Sequence, residues 1–177
     1  KWFALEHWNT VADIVTIGKS LGAGYASIAA TMMTEKVLAP IKGGTGLIMS
    51  GHTYSGHPLS CATALKVLDV VEEDNLLANV NDKGAIIKNK LLEWQNRYSF
   101  IDKVRGKGLM IGMEVESIRK GLQARFIDQC FENGLLVYPT VGGAYGKDEN
   151  GILIAPPFII SQKETDELME KLEKSLN

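Results

Sequence analysis

The chain is poor in cysteine, in long apolar runs and in excess charge of either sign. Cys61 and Cys130 are the only thiols in 177 residues. They lie far apart, which excludes a disulfide scaffold and a cysteine-based zinc cluster and fits a reducing, cytoplasmic setting. The longest apolar stretches, such as Ile152 to Ile160, are about half of the 20 or so residues a membrane helix needs, and Pro156 and Pro157 interrupt that one. A soluble protein is expected. Lysine and arginine number 19 against 21 aspartates and glutamates, a net charge of −2, with no basic or acidic block. That removes the electrostatic footprint of a nucleic-acid binder or a polybasic membrane anchor. Internal repeats, low-complexity tracts and heptad runs are also missing. The first residues, Lys1-Trp2-Phe3, show neither an initiator Met nor a signal-peptide pattern, and a globular run is already under way, so the chain is expected to be part of something longer.

What is present is 45% apolar residues, enough for one large domain or two small ones. Asp13 to Ile17 is a short β-branched run, and Ala26 to Met33 is a second apolar run after a glycine-rich turn; both predict buried strands. Lys42 to Gly46 reads as a loop, Leu47 to Met49 as a brief strand and Gly51 to Gly56 as another loop. Pro58 opens a helix, with Ala62, Leu65, Leu68 and Val71 at helical spacing. A second helix is predicted from Leu76 to about Tyr98, with Leu76, Val80, Ile87, Leu91 and Trp94 on one side and a costly Gly84 in its middle. Then follow a strand at Leu109 to Val115, a helix at Leu122 to Glu132 ended by Asn133-Gly134, and a strand at Leu135 to Tyr138. After a glycine-rich loop come a strand at Ile152 to Ala155 and a last helix started by a Ser161/Glu164 capping box. The pattern is α/β.

Chemistry concentrates in TIGKSLGAGY, where Lys19 follows a strand within a loop of small residues. Desolvation in such a loop turns a lysine amine into a nucleophile and base. Read alone, the segment is more commonly a surface lysine at a strand end. A phosphate-binding P-loop requires glycine where Asp13 stands, and a dinucleotide fingerprint requires a third glycine where Ser27 stands. Thr53, Ser55 and Gly56 supply the hydroxyls and backbone N–H groups of a phosphate cradle, or equally an ordinary turn before a proline-started helix. His52 and His57, five apart with no third ligand evident, predict no metal site. Arg105 has the geometry for a substrate carboxylate, though pairing with a nearby acid is the commoner role.

DIVTIGKSLGAGY, from Asp13 to Tyr25, resembles the second half of the signature of class III (fold type I) pyridoxal-phosphate aminotransferases. HTYSGHPLSCATALKVL, from His52 to Leu68, resembles that family's loop and helix whose threonine reaches the cofactor phosphate of the neighbouring subunit. VRGKGLMIGMEV, from Val104 to Val115, is similar to the first strand of the family's small C-terminal domain, and GLLVYPTVGG and ILIAPPFII to its later strands. The likeness runs through essentially the whole chain in order.

The resemblance implies that Lys19 holds pyridoxal 5′-phosphate (PLP) as a Schiff base and, once freed by the donor amine, moves a proton between the substrate carbon and C4′. It implies that Thr53, with Ser55 and Gly56, anchors the phosphate across a homodimer interface, with a small-molecule amine donor and an oxo-acid acceptor as substrates. The implied organisation is the end of the large cofactor-binding domain in residues 1–74, a linking helix in 75–100, and a small α/β C-terminal domain in 101–177. The family's Asp-Glu strand, phosphate-binding glycine turn and ring-stacking aromatic match nothing in the chain, so it is expected to be a C-terminal portion, inactive by itself. Where branches using γ-amino acids or ornithine commonly carry an arginine, Leu153, Ile154 and Ala155 precede Pro156-Pro157. The implied branch is therefore the one acting on ω-amino acids or amines with pyruvate. An aminomutase or decarboxylase of the same family, or a non-catalytic α/β fragment, are the alternatives.

Overall fold

A computed structural model describes residues 1–115, 121–141 and 150–176, with Val141 and Asn150 described by backbone alone. The chain divides into two compact units, Lys1–Asn75 and Leu76–Asn177. The glycine-rich loop expected before Ile152, with Gly142 and Gly143 of the GLLVYPTVGG segment, lies outside the described residues.

In the first unit, β1 (Ile14–Ile17) pairs antiparallel with β2 (Ala30–Met33), Ile17 opposite Ala30. The four residues of β1 have no partner for Ala26 to Ala29, so the predicted second strand shortens to its last four residues. Helix α1 (Glu35–Gly43) follows, an element the sequence reading missed because Pro40 stands inside it. The Lys42 to Gly46 segment is accordingly the end of that helix and the turn after it. Leu47 to Met49 is not a strand. These residues are exposed, Met49 at 92%, and no strand lies against them among the described residues. Helix α2 (Pro58–Glu73) starts at Pro58 as expected. Across residues 1–75 only Gly22 and Ala64 are buried, while Trp8, Val11, Tyr25 and Leu65 stand exposed.

The second unit does have a core. Helix α3 (Leu76–Arg97) lays Ile87, Leu91 and Trp94 into it, at 0 to 1% exposure. Strands β3 (Ile101–Lys107) and β4 (Met110–Val115) form a hairpin, so the segment expected to contribute one strand contributes two. Helix α4 (Leu122–Glu132) leads to β5 (Tyr138–Val141) and β6 (Asn150–Ile154), completing an antiparallel sheet of order β3-β4-β6-β5. The strand expected at Leu135 to Tyr138 begins at Tyr138, because Leu135 N–H still bonds the Cys130 carbonyl at the helix end, at 2.8 Å. Pro139 lies on β5, at the sheet edge, the position where a residue without an N–H is tolerated. Helix α5 (Gln162–Ser175) starts at the predicted capping box: Ser161 Oγ accepts from Glu164 N–H, and Glu164 accepts from Ser161 N–H. Ile111, Met113, Ile152, Cys130 and Leu172 fill the space between sheet and helices. Among the described residues no helix is long and apolar enough to cross a membrane.

The mid-helix Gly84 now has a reason. A Cβ built there falls onto the Gly108 carbonyl at the turn of the β3–β4 hairpin, and one built on Gly108 would strike Val80. Helix backbone and hairpin backbone touch, and Lys88 Nζ seals the contact by donating to the Gly106 carbonyl at 3.0 Å. Gly84→Ala gains about 1 kcal/mol of helix propensity, but forces two backbones apart, and overpacking of this kind typically costs about 1–3 kcal/mol. The expected net result is a lower denaturation midpoint; an unchanged or higher one would show that the contact gives way freely.

Candidate functional site

Lys19 is the second residue after β1. Its backbone has φ 51°, left-handed, uncommon for a residue with a side chain and shared with Asn9, Ala23 and Asn75. Three successive turns fix the path that follows: Leu21 N–H donates to Gly18 O at 3.1 Å, Ala23 N–H to Ser20 O at 3.0 Å and Tyr25 N–H to Gly22 O at 2.8 Å. Helix α2 packs on this turn. Lys19 is exposed and lines a concavity of about 620 Å³, shared with Gly24, Tyr25, Ala26, Ser27, Ile28 and Ala29. The wall is mostly small residues around one amine, in the size range of small-molecule and cofactor sites. Tyr25 and Ser27, which the sequence reading did not single out, are the two hydroxyls on it. Their signal was the glycine-rich turn itself, which brings the chain back past the lysine.

Thr53, Ser55 and Gly56 fall together in one exposed turn before α2. Ser55 N–H donates to the His52 carbonyl and His52 N–H to Ser55 Oγ, both at 2.9 Å, while Gly56 takes φ 70°. The Thr53 hydroxyl makes no hydrogen bond among the described residues, and no carboxylate occurs anywhere in residues 36–68. Thr53, Ser55 and Gly56 are thus brought to each other, and none of them contributes to the wall of the concavity that holds Lys19.

The histidines beside the turn do other work. His57 Nδ1 accepts the Ser60 N–H at 3.3 Å and caps α2. Among the described residues no group of three or more His, Cys, Asp and Glu is placed to hold a metal ion. Arg105 on β3 pairs with the Glu114 carboxylate on β4, which is 5% exposed, and Lys103 stands 4.0 Å from the same carboxylate. The structural alternative for Arg105 is the one present. Burial also pushes the Cys130 thiol above its ordinary range, partly offset by its hydrogen bond with Ser175, as for an inert core thiol.

Residues 1–176 match the family model for class-III aminotransferases, and the chain belongs to that family. Its structural neighbours are PLP-dependent transaminases of fold type I. An amine transaminase from an uncultivated Pseudomonas species, solved in its PLP-bound form, superposes with a TM-score of 0.85 at 32% identity, over 97% of this chain and 39% of that one. A transaminase from the marine bacterium Virgibacillus gives 0.90 at 27%, over 99% and 41%. In sequence, the chain is 41% identical to an uncharacterized aminotransferase, YodT, of Bacillus subtilis, over 96% of this chain and 40% of that protein. It is 31% identical to the mitochondrial ornithine aminotransferase of Rattus norvegicus, over 99% and 37%. The chain thus spans about two fifths of the length of these relatives.

Among the described residues, removing the Arg105 guanidinium leaves Glu114 buried with Lys103, at 4.0 Å, as its remaining cation, and uncompensated buried carboxylates are costly. Arg105→Met should lower unfolding stability by about 1–3 kcal/mol, while the order of preference among amine donors stays the same. A changed donor order at unchanged stability would return Arg105 to the substrate.

Proposed function

We propose that this chain carries the catalytic lysine of a PLP-dependent aminotransferase that moves an amino group from an amine or ω-amino acid to an oxo acid such as pyruvate. The observation that carries the reading is the Lys19 amine on a concavity of small residues, reached through a strained turn, in a class-III chain. The residues present fit the cofactor: Lys19 Nζ is the point of attachment, and Thr53, Ser55 and Gly56 are the phosphate ligands. PLP, when bound, supplies the electron-withdrawing ring that acidifies the carbon bearing the amine.

Lys19 Nζ has two tasks. It would hold the cofactor, and as a free amine it would take the proton from the substrate carbon and deliver it to C4′. The hydrogen-bonded turn from Gly18 to Tyr25 fixes the backbone that carries the amine, which would lessen the entropy lost in both tasks. Gly24, Ala26 and Ala29 keep the concavity open, and Tyr25 and Ser27 would offer hydroxyls to a group held in it. Thr53 and its neighbours stand off the Lys19 wall, which supports their service to the site of a second copy in a homodimer.

The donor class is read from the end of β6 and the residue after it. Leu153, Ile154 and Ala155 offer no cation for a distal carboxylate, and an amine transaminase is among the solved structures similar to the chain. Donors of the ornithine type are the second reading, since ornithine and acetylornithine aminotransferases are among its relatives at 31 to 35% identity.

Borohydride reduction of the full-length holoenzyme followed by peptide mapping is expected to place the cofactor on Lys19, and Lys19→Ala to lower turnover at least about a hundredfold; label on another lysine would remove the assignment. Residues 1–177 expressed alone are expected to show little visible cofactor absorbance and no turnover, because the first unit buries only Gly22 and Ala64. Robust transamination by that polypeptide would refute this.

A further inference from the structure

An exposed turn keeps one shape only where something ties it to a rigid element, because each unrestrained residue retains its conformational freedom. The turn from His52 to Gly56 has its tie at His57. The backbone N–H of His57 donates to the Tyr54 carbonyl at 3.1 Å, and the half-buried imidazole meets the Tyr54 ring edge-on, centroids 5.5 Å apart. On the other side, Nδ1 accepts the Ser60 N–H and lies 3.3 Å from Ser60 Oγ, while the His57 carbonyl accepts Cys61 N–H at 3.0 Å. One residue thus grips the turn with its backbone and ring, and the first turn of the 16-residue helix α2 with Nδ1 and its carbonyl.

Histidine is an unusual choice for this job. Serine, threonine, aspartate and asparagine are the common caps. An aspartate would set a full negative charge beside Thr53, Ser55 and Gly56, in the stretch from residue 36 to 68 that holds no carboxylate at all. A neutral imidazole, with its proton on Nε2 so that Nδ1 can accept, caps the helix without repelling an anion.

We infer that His57 is a positioning residue for the cofactor phosphate: it locks the Thr53–Gly56 turn to α2 so that the Thr53 hydroxyl and the N–H groups of the turn are held ready for the anion. The inference rests on the reading of this turn as the phosphate site. Loss of the cap spreads the turn over other conformations, and the apparent affinity for the phosphate falls in proportion to the competent fraction that remains.

The test compares PLP with pyridoxal, which lacks the phosphate, by titrating each into full-length apoenzyme and following absorbance, with thermal melting alongside. His57→Ala should weaken PLP roughly three- to tenfold, the usual worth of a cap, and leave pyridoxal unchanged. His57→Asn, which restores a neutral cap, should recover the PLP affinity. His57→Asp should melt like His57→Asn yet bind PLP more weakly, because its charge faces the phosphate. Equal losses for both ligands, no loss for PLP, or failure of His57→Asn to recover it would overturn the inference. Should His57→Ala not fold, the Asn and Asp variants decide by their difference in PLP affinity alone. Thr53→Val separates the two levels: it should erase the preference for PLP over pyridoxal. If it does not, the phosphate reading and the inference fall together; if it does while the His57 variants bind PLP like the parent, only the inference falls.

Discussion

A lysine amine serves as an anchor only if the backbone beneath it is held. Lysine has the longest unbranched stem of the charged residues, and its freedom must be taken away somewhere. At Lys19, proposed above as the cofactor's anchor, the backbone at the root of the stem is fixed. β1 ends at Ile17, Gly18 is extended, and Lys19 is turned into a left-handed conformation that a chain adopts only under the direction of its surroundings. The surroundings are three stacked turns and a helix packed on them. The small residues of the concavity follow from the same constraint, since a tight turn that returns past its own lysine has no room for bulk. Tyr25 and Ile28 are the exceptions, and Tyr25 stands 86% exposed.

The two units distribute apolar material very differently. The second unit hides Trp94, Leu91, Ile87 and Met113 almost completely and lets a helix and a hairpin meet backbone to backbone at Gly84 and Gly108. The first unit holds comparable apolar side chains and hides almost none of them. Burial of apolar surface is the dominant favourable term in folding. Within residues 1–75 that term is largely uncollected, and the turns around Lys19 are held by local hydrogen bonds and by α2.

Much of this was legible in the sequence, for reasons that differ by element. α2, α3, α4 and α5 announced themselves through proline at N1, apolar spacing, an Asn-Gly stop and a Ser/Glu box, all local signals. α1 was hidden by Pro40, which argues against a helix although the helix forms. Leu47 to Met49 looked like a strand because apolar residues between glycines usually are one, yet a strand exists only with a partner. The start of β5 was set by the end of α4, three residues further on than the apolar run suggests, and the hairpin of β3 and β4 by a glycine turn inside what read as one segment. In the site, Lys19 and the Thr53 turn were visible as residue types in a familiar order. That His57 is a cap was not, since two histidines five apart invite a question about metals, and only the bond from Ser60 N–H to Nδ1 answers a different one.

Pro139 gives the sheet of the second unit a definite end. A strand at a sheet edge offers a ladder of donors and acceptors to any passing chain, and proteins blunt that offer to remain apart from one another. β5 lacks one rung, because Pro139 has no N–H to give. Because successive residues face alternate sides of a strand, the four residues of β5 could offer a neighbour two donors at most, and they hold three N–H groups in all. Association of copies through continuous sheet extension is thereby discouraged at this edge, which leaves side-chain surfaces, more selective than backbone, to govern how this part of the protein meets its neighbours.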